Sequence, residues 1–410
     1  MPELLAPAGN FEKMRMAFHY GADAVYLAGQ AFGMRAAADN FTIEELQQAV
    51  AYAHQRKKRV YITVNVMPRG YEYTDLHAYL SALRSVAPDA LIVADLGVLE
   101  LAKEVLPQVS LHISTQANIV SAAACRAYYN MGAKRVVLGR ELTLNEIREI
   151  RKEVTPDLEL EAFIHGSMCI SYSGRCLLSG FFTGRDANRG ACTQPCRWNY
   201  HISRCEIIEE KRPEISLPLE EVNGETFVMS SKDTSMIEHI SDLMESGIDS
   251  FKIEGRMKSA YYTAVVTNTY RMAIDAYASG DCSYHPAWGR ELNSVSHRPY
   301  YTGYYYDSVG ENPNTTSAKG YLQDKAYLAM VLSYDEKEKR ALLVQKNKFS
   351  AGDAVEFLTP GHVGVPFTAG EMFDEEGLPI TAVSHPQMRF YMKTPFPVAA
   401  GDIIRGKTEE

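Results

Sequence analysis

The sequence predicts an α/β protein in which a TIM-barrel-like parallel (β/α) barrel is followed by a small C-terminal antiparallel β-barrel domain. Short apolar, β-branched runs alternate with amphipathic helical segments, and about eight such units of roughly 25–35 residues follow one another. Glycines at 21, 132 and 247 each come shortly before a candidate strand, which suits a helix C′ position where the chain turns back. From residue 322 onward, short strands alternate with turns, as in a small antiparallel barrel.

Nine segments are candidate strands for the parallel barrel. A TIM barrel has eight places, so one candidate is expected to be extra or wrongly identified. Helical segments lie between them, and the one at 42–55 opens with the capping pattern Thr42-Ile-Glu-Glu45. The candidates are residues 3–6, 24–28, 59–65, 90–95, 110–115, 135–139, 158–164, 227–231 and 250–254.

A change of composition marks the end of the barrel. After a helical segment at 260–280, the stretch 296–320 is rich in Tyr, Gly and Asn and has no helical period, which is typical of a loop. We therefore predict a barrel at 1–285, a linker at 286–321 and a β domain at 322–410. That domain carries 10 Lys and Arg against 13 Asp and Glu, so its charges favour docking at least as well as phosphate binding.

Composition and charge exclude several classes of protein. The chain has 410 residues, of which 46% are hydrophobic and 23% charged, as in an ordinary soluble globular protein. No apolar run approaches the roughly 20 residues that span a bilayer, and the N-terminus lacks the pattern of a signal peptide. We expect a cytoplasmic protein without a membrane partner. The net charge of −9 means that any RNA contact must be local, and the one basic run, at 54–59, is interpreted as a solvated helix end.

Four of the seven cysteines lie within 28 residues, at Cys169, Cys176, Cys192 and Cys196. In a reducing compartment such a cluster indicates metal binding or catalysis rather than disulfides. The spacing is C-x6-C-x15-C-x3-C, in which only the second pair is tight. Structural zinc sites usually present two tight pairs, so the spacing favours an iron–sulfur cluster, with zinc as the alternative. A radical S-adenosylmethionine motif is excluded, because C-x3-C-x2-C does not occur here.

The cysteine loop, residues 165–205, is also rich in arginine and aromatic residues. Between 165 and 200 it has one acid, Asp186, and its five glycines would let it fold tightly around a bulky inorganic group. Arginine forks match carboxylates and phosphates, although these arginines could also serve only to neutralise a thiolate cluster. We expect the arginines to bind substrate; they are Arg175, Arg185, Arg189 and Arg197. The aromatic residues between them are Tyr172, Phe181, Phe182, Trp198 and Tyr200.

Polar residues collect at the carboxyl ends of the candidate strands, where the active sites of such barrels lie. Lys252, Glu254 and Arg256 alternate in the sequence, so their side chains are expected on one face of a strand. Together with His165, they are predicted to be catalytic residues. A Lys–Glu pair inside the barrel is the structural alternative. Gln116 and Lys232 are expected to bind substrate. Other polar residues near these strand ends are Asn65, Asp95, Ser114, Arg140, Glu141 and Asp233, and His112 and Glu161 are weaker candidates that could be satisfied core groups.

Several motifs resemble those of the collagenase-like peptidase family, peptidase family U32. The run EAFIHGSMC at 161–169, followed by GRCLLS at 174–179, is similar to the signature of that family. The stretches ELLAPAG, GADAVYLAG, FGMRA, STQAN and FKIEGRMK match it as well, so the resemblance covers nearly all of the chain. Within the family, the long form with a small C-terminal β domain resembles the bacterial tRNA hydroxylation proteins.

The resemblance implies an oxygen-independent hydroxylase that carries a four-iron cluster and converts wobble uridine in tRNA to 5-hydroxyuridine, with prephenate or a similar small carboxylate involved. Some relatives work in pairs, which implies a possible paralogous partner. The implied ligands are Cys169 and Cys176, with Cys192 or Cys196 as a third. Where the relatives have a further cysteine this chain has Ser235, so either both Cys192 and Cys196 bind or the fourth position is not a cysteine.

The family name implies a different activity, a metal-dependent peptidase with zinc on the cysteines. The sequence has no H-E-x-x-H or G-x-S-x-G motif and no obvious nucleophile–base arrangement. The cysteine spacing also suits a zinc hydrolase poorly, because such a site needs three protein ligands and an open water position. Hydroxylation is therefore the favoured hypothesis and peptidase activity the alternative.

Overall fold

The structure is a computed structural model, which describes residues 1–34, 40–198, 207–209, 212–217, 221–222, 225–226, 231–307 and 321–407. Of the residues singled out from the sequence, Tyr200 and residues 227–230 lie outside these ranges, and so does the side chain of Arg197.

Eight parallel strands form a closed barrel, as the sequence predicts. Each strand pairs with the next one in order, and the last strand closes the ring by pairing in parallel with both the seventh and the first. All eight come from the predicted segments, and the ninth candidate, 227–231, is not among them. The barrel strands are β1 (Glu3–Pro7), β2 (Ala24–Leu27), β3 (Arg59–Val64), β4 (Ala90–Val93), β5 (Ser110–Ile113), β6 (Arg135–Val137), β7 (Glu159–Ser167) and β13 (Ser250–Ile253).

Helices surround the barrel and cover the outer side of its strands with a continuous apolar core. The capping box predicted at Thr42 and Glu45 is present at the start of α2, where each side chain accepts from the other residue's backbone N–H. The helices are α1 (Phe11–His19), α2 (Ile43–His54), α3 (Tyr73–Val86), α4 (Leu96–Val105), α5 (Ala122–Asn130), α6 (Leu144–Glu153), α7 (Leu178–Thr183), α8 (Ile240–Met244), α9 (Ala260–Ala278) and α10 (Pro286–Asn293). In the described residues no helix combines the length and apolarity that a membrane span requires.

Short strands outside the barrel extend its sheet on one side. The strand β12 (Asp233–Ser235) pairs antiparallel with β7 and parallel with β14 (Tyr300–Tyr301). Two further antiparallel pairs lie between the cysteine loop and β12 in the chain. They are β8 (Ile207–Glu209) with β9 (Arg212–Leu217), and β10 (Glu221–Val222) with β11 (Glu225–Thr226).

The C-terminal part is an antiparallel sheet, as predicted, but it has the form of a half-barrel. In the described residues its two edge strands, β19 and β21, do not pair with each other, so the sheet is not closed. A separate two-stranded pair joins β17 to β22. The strands are β15 (Lys325–Asp335), β16 (Arg340–Gln345), β17 (Phe349–Ser350), β18 (Ala354–Leu358), β19 (Val365–Thr368), β20 (Met372–Phe373), β21 (Pro379–Ile380), β22 (Ala382–Val383), β23 (Arg389–Lys393) and β24 (Ile403–Lys407).

The C-terminal sheet packs on the barrel through buried polar contacts. The guanidinium of Arg405 donates to both carboxylate oxygens of Glu291 on α10, at 2.7 and 2.6 Å. Tyr20, at the end of α1, donates to the carbonyl of Leu358 at 2.8 Å. These contacts join the end of α1 to β18 and α10 to β24. Specific side chains therefore hold the C-terminal sheet against the barrel, in addition to the chain that connects the two parts.

Candidate functional site

A small cavity opens at the carboxyl ends of the barrel strands. Its volume is about 50 Å³, and side chains from seven of the eight strands, or from the loops that follow them, converge on it. Its lining includes three cations and one carboxylate among other polar groups, which gives it a positive character. The residues that line it are Tyr26, Met34, Thr63, Asn65, Ile92, Ser114, Thr115, Gln116, Arg140, Phe163, Lys252, Glu254 and Arg256.

Three of the four predicted catalytic residues line this cavity together. Lys252, Glu254 and Arg256 all face it, as their alternation along β13 and the following loop predicts. The Nη1 of Arg256 donates to Thr63 Oγ1 at 3.0 Å, and Tyr26 donates its hydroxyl to Glu254 Oε2 at 3.3 Å. Arg256 is 3% exposed, so its charge is held at the inner wall of the cavity rather than in bulk water.

Lys252 also belongs to a buried ion-pair network that fills the barrel below the cavity. Its Nζ donates to Glu161 Oε1 at 2.6 Å, and Glu161 Oε2 accepts from Arg135 at 2.9 Å. Arg135 continues to Glu3 at 2.6 Å, on the opposite end of the barrel. The structural alternative considered for Lys252, a Lys–Glu pair inside the barrel, is therefore present, and the same side chain faces the cavity.

Two groups of the network, Glu3 and Arg135, keep their charges despite their burial. Burial by itself would raise the pKa of Glu3, but the nearby guanidinium of Arg135 outweighs it and holds that pKa below its ordinary value. Burial likewise opposes the charge of Arg135, while Glu161 and Glu3 raise its pKa above the ordinary value. The floor of the cavity is thus a fixed, fully paired set of charges.

His165, the fourth residue predicted to be catalytic, does not line the mouth cavity. The register between β7 and β13 shifts between Lys252 and Ile253, so that Ile253 pairs with His165. A bulge of this kind turns a side chain to the other face of the strand. The ring lies among Tyr262, Tyr270 and Tyr300, with centroids 5.2 to 6.0 Å away. Burial lowers the pKa of His165 to about 3, which keeps it neutral.

Gln116 and Lys232, the two predicted substrate-binding residues outside the cysteine loop, lie in different places. Gln116 lines the cavity, and its backbone carbonyl lies against Gly174 of the cysteine loop. Lys232 lies beyond the cavity lining, with its ammonium 5.7 Å from the ring centroid of Tyr301. The structure therefore brings Gln116, but not Lys232, next to the catalytic candidates.

The cysteine loop leaves the end of β7, as predicted, and crosses the mouth of the barrel. Arg140, at the end of β6, donates to the carbonyl of Ser167 at 3.0 Å and to Ser173 Oγ at 3.3 Å. Two glycines make close backbone approaches: a Cβ on Gly174 would stand 2.4 Å from the carbonyl of Gln116, and one on Gly190 would stand 2.7 Å from that of Gly33. Both have positive φ, so glycine is required there on two grounds.

Arg189 anchors this loop instead of facing a substrate. Its guanidinium forms two parallel hydrogen bonds of 2.8 Å with the carboxylate of Glu72, which lies in the 3₁₀ turn before α3. This bidentate contact raises the pKa of Arg189 and lowers that of Glu72. The substrate-binding role predicted for Arg189 is thus replaced by a structural one, because a carboxylate already occupies both edges of its fork.

The outer face of the loop carries exposed aromatic and cationic side chains. Phe181 is 82% exposed and Leu177 80%, values that are unusual for large apolar residues. The rings of Phe181, Phe182 and Trp198 lie in series, with centroids 5.2 and 6.2 Å apart. We call the set Leu177, Phe181, Phe182 and Trp198 the aromatic patch. Arg175 and Arg185 are exposed as well.

The four loop cysteines are partly or fully exposed, and none of the six described cysteines forms a disulfide with another. The sulfur of Cys169 lies 4.0 Å from Arg140 Nη2. Within the described part of the chain, no three His, Cys, Asp or Glu side chains are gathered as a metal-binding group. Ser235 pairs with His165 in the strand register, whereas Ser231 donates to the carbonyl of Met168, so it is Ser231 that lies next to Cys169.

Three residues of the site were missed by reasoning from the sequence. Arg140 was noted only as a polar residue at a strand end, although it contacts both the cavity and the cysteine loop. Its position directly after β6 was the available signal. Thr63 and Glu72 gave no signal, because their partners Arg256 and Arg189 lie 193 and 117 residues away in the sequence.

Sequence comparisons identify a protein family and individual proteins to which this chain is similar. Residues 9–315 match the sequence model of peptidase family U32, and residues 323–405 match that of the peptidase family U32 C-terminal domain. The chain is 40% identical over 387 residues to tRNA hydroxylation protein P1 of Bacillus subtilis, covering 94% of this chain and 90% of that protein. It is 35% identical over 415 residues to tRNA hydroxylation protein P of Escherichia coli, covering 92% and 91%. A collagenase of Porphyromonas gingivalis is 32% identical over 345 residues, covering 81% and 80%.

Proposed function

The chain belongs to peptidase family U32, and from that premise we propose that it is an enzyme that hydroxylates tRNA without molecular oxygen, converting wobble uridine to 5-hydroxyuridine. One observation carries the proposal above all. Relatives named as tRNA hydroxylation proteins match both the barrel and the C-terminal sheet, at 35 to 40% identity over more than nine tenths of this chain.

The exposed face of the cysteine loop supports an RNA substrate. Single-stranded bases are recognised by stacking on aromatic rings, while guanidinium groups meet the phosphates. The aromatic patch and the exposed Arg175 and Arg185 offer both kinds of group on one loop. An anticodon loop already presents its bases unstacked, so it requires little of the energy that extracting a base from a duplex would cost.

The cavity at the mouth supports a small carboxylate as co-substrate, prephenate by family resemblance. Arg140, Lys252 and Arg256 face it, and Glu254 is the one carboxylate among the described residues of its lining. A volume of about 50 Å³ admits a carboxylate group rather than a whole ring compound. The body of the molecule would therefore lie in the opening beneath the cysteine loop, with its carboxylate held by the buried Arg256.

The cysteine loop would hold an iron–sulfur cluster, with Cys169, Cys176, Cys192 and Cys196 as ligands. The donors fit in type and number, since four thiols on one loop match the Cys₄ ligand set of a four-iron cluster. No ready-made metal-binding group stands in the described residues, so the loop would have to draw its sulfurs together. When bound, such a cluster supplies one-electron transfer. Arg140 would place a positive charge beside Cys169, opposite in sign to a cysteine ligand bound as thiolate.

A second candidate is a metal-dependent peptidase, and the similarity to a collagenase is the observation that favours it. A zinc hydrolase holds its metal with three protein ligands and leaves one position to water. The described residues contain no such group, and the histidine expected at the mouth lies behind the barrel wall. The same absence applies to a cluster, so hydroxylation is preferred because the tRNA hydroxylation proteins match this chain at higher identity and coverage than the collagenase does.

Nucleoside analysis of total tRNA tests the proposed function. A strain from which the gene is deleted should lose the nucleosides derived from 5-hydroxyuridine, and the wild-type gene should restore them. Arg185→Ala should restore only part, because it removes an exposed cation beside the aromatic patch. Unchanged levels in the deletion strain, in the absence of a redundant paralogue, would favour the peptidase.

Iron and sulfide analysis of protein purified without oxygen tests the cluster separately. Wild-type protein should contain both elements and show a broad absorbance that bleaches in air. Cys169→Ala and Cys176→Ala should lose them, whereas the controls Cys125→Ser and Cys282→Ser, outside the loop, should keep them. Full iron content in both loop variants, or zinc in place of iron, would contradict the assignment.

A further inference from the structure

A large groove lies between the barrel and the C-terminal sheet, away from the mouth. Its volume is about 690 Å³, more than ten times that of the mouth cavity. One wall consists of α1 and the C-terminal end of α2, and the other of residues 330–332 of β15 and the turn at 400–401. The lining residues with polar or aromatic side chains are Glu12, Arg15, Phe18, His19, Tyr52, Arg56 and Lys58.

The groove has an excess of positive charge. Lys58 pairs with Asp23 at 3.4 Å, and Glu12 is neutralised by Lys346 at 2.8 Å. Arg15 and Arg56 have no carboxylate within salt-bridge distance among the residues described here. The groove therefore presents two exposed guanidinium groups that no acid in the described part of the chain neutralises. Arg56 and Lys58 come from the basic run at 54–59, which the sequence alone left as a solvated helix end.

An aromatic ring fixes the two guanidinium groups. The Cζ of Arg56 lies 3.6 Å from the ring centroid of Tyr52, and its Nη1 donates to the carbonyl of the same residue at 3.1 Å. Arg15 lies 5.7 Å from the same ring and 5.2 Å from that of Phe11. A guanidinium stacked on an aromatic face keeps its edge N–H groups available for hydrogen bonds. Because the arginine side chain is already held in place, it loses less conformational entropy on binding a phosphate than a free side chain would.

The position of the groove defines what could reach it. Helices of a (β/α) barrel start at the mouth and run toward the opposite end, and α2, with 12 residues, is about 18 Å long. Arg56 follows the last turn of α2, so it lies about that distance from the mouth. A loop of single-stranded RNA held at the mouth is too small to cover both places, whereas the double-helical stem that continues from it is long enough.

We propose that this groove is a second RNA-binding surface, which binds the phosphate backbone of the double-helical part of a tRNA whose anticodon loop lies at the mouth. The inference rests on the proposed function. A chain with a net charge of −9 has no overall positive electrostatic field to attract a polyanion such as RNA. A local cationic surface would supply that attraction instead. Phosphate contacts of this kind position the RNA without reading its sequence.

Binding measurements with tRNA and with an isolated anticodon stem–loop test the proposal. The variant is Arg15→Ala/Arg56→Ala, and the control with the same change in charge is Arg148→Ala/Lys152→Ala on α6, at another side of the barrel. The groove variant should bind full-length tRNA about tenfold more weakly, and the slope of log K against log salt should fall by about one unit per lost contact. Its affinity for the short stem–loop should stay near that of wild type. Arg15→Lys/Arg56→Lys should recover part of the loss, because charge is retained.

The outcomes separate this proposal from the proposed function. If wild-type protein does not bind tRNA at all, both fail together. If wild type binds and the groove variant has wild-type affinity and salt slope, only the second surface is overturned. Equal weakening by the α6 control would also overturn it, because net charge rather than the groove would then account for the effect. Unchanged thermal midpoints, expected for exposed residues, would show that the variants are folded.

Discussion

Two glutamates, two residues apart on β7, contact the same guanidinium in different surroundings. Glu159 lies 2.6 Å from Arg135 and its side chain is 44% exposed, whereas Glu161 lies 2.9 Å from it and is 0% exposed. Removing Glu161 leaves the buried Lys252 without its carboxylate and Arg135 with one carboxylate fewer, and the loss of a buried partner costs about 3–5 kcal/mol. An exposed partner contributes about 1 kcal/mol or less.

We therefore predict that Glu161→Gln lowers the free energy of unfolding by about 3–5 kcal/mol and Glu159→Gln by about 1 kcal/mol or less. Chemical denaturation of the two purified variants provides the comparison. Equal losses would mean that the barrel interior admits enough water to screen the network.

His165 gives a prediction about pH. Burial, assisted by the neighbouring His297 and Lys258, lowers its pKa to about 3, below the ordinary value of an unfolded chain. As pH falls from about 6.5 toward 3, the unfolded state takes up a proton that the folded state does not, so stability falls by about 1.4 kcal/mol per unit.

His165→Phe should remove this contribution, so that the slope of unfolding free energy against pH becomes shallower by about one proton between pH 4.5 and 6. Burial also holds the pKa of His112 well below its ordinary value, so His112→Phe should act in the same direction. A slope that stays the same in both variants would show that neither imidazole is kept neutral by the fold.

At the scale of elements, the cysteine loop depends on a small number of contacts with strand ends. Arg140 fixes its start, and Arg189 fixes its later part to Glu72. The side chains of Arg189 and Glu72 are each only 25% exposed, and their hydrogen bonds are bidentate. We therefore expect this ion pair to contribute about 1 kcal/mol to the stability of the loop.

Arg189→Ala should therefore make cleavage within 168–198 by a trace of protease about fivefold faster, in line with a loss of about 1 kcal/mol. Glu72→Ala should have a similar effect, and the double variant should be no worse than either single one, since both remove the same contact. Arg185→Ala is the control, because its exposed side chain should leave cleavage unchanged. Additive losses in the double variant would contradict the pairing.

The elements differ in how far the sequence predicts them. The eight barrel strands follow from alternating apolar runs, and the loop after β7 is recognised from its cysteines because both signals are local. The reversal of His165 was not predictable, since it depends on the register of β7 against β13, about 90 residues later in the chain. The role of Arg189 was missed for the same reason, because Glu72 lies 117 residues away.

At the scale of the whole molecule, buried charges join the barrel to the C-terminal sheet. Arg405 is 1% exposed and contacts both Glu291 on α10 and Glu356 on β18. His19, at the end of α1, lies 2.8 Å from Asp402 in the same interface. These contacts make the unfolding of the two parts interdependent, and His19 also lines the large groove between them.

Arg405→Met should lower stability by about 3–5 kcal/mol and separate the thermal transitions of the barrel and the sheet, because Glu291 is left buried without its partner. The control, Arg389→Met, removes an arginine that is 58% exposed and 3.8 Å from Glu375, and it should change the midpoint little. A single unshifted transition in Arg405→Met would show that the interface does not couple the two parts. Neither this interface nor the groove was predictable, since both combine segments far apart in the sequence, such as Arg405 and Glu291, 114 residues apart, and His19 and Asp402, 383 residues apart.

We propose that the cysteine loop at the barrel mouth is required for hydroxylation of tRNA. The level of 5-hydroxyuridine-derived nucleosides in tRNA from a deletion strain carrying Cys176→Ala or the matched control Cys282→Ala measures this requirement. Wild-type levels are expected with the control and none with Cys176→Ala, at equal protein abundance. Restoration of the nucleosides by Cys176→Ala, or their presence in the strain without any copy of the gene, would contradict it.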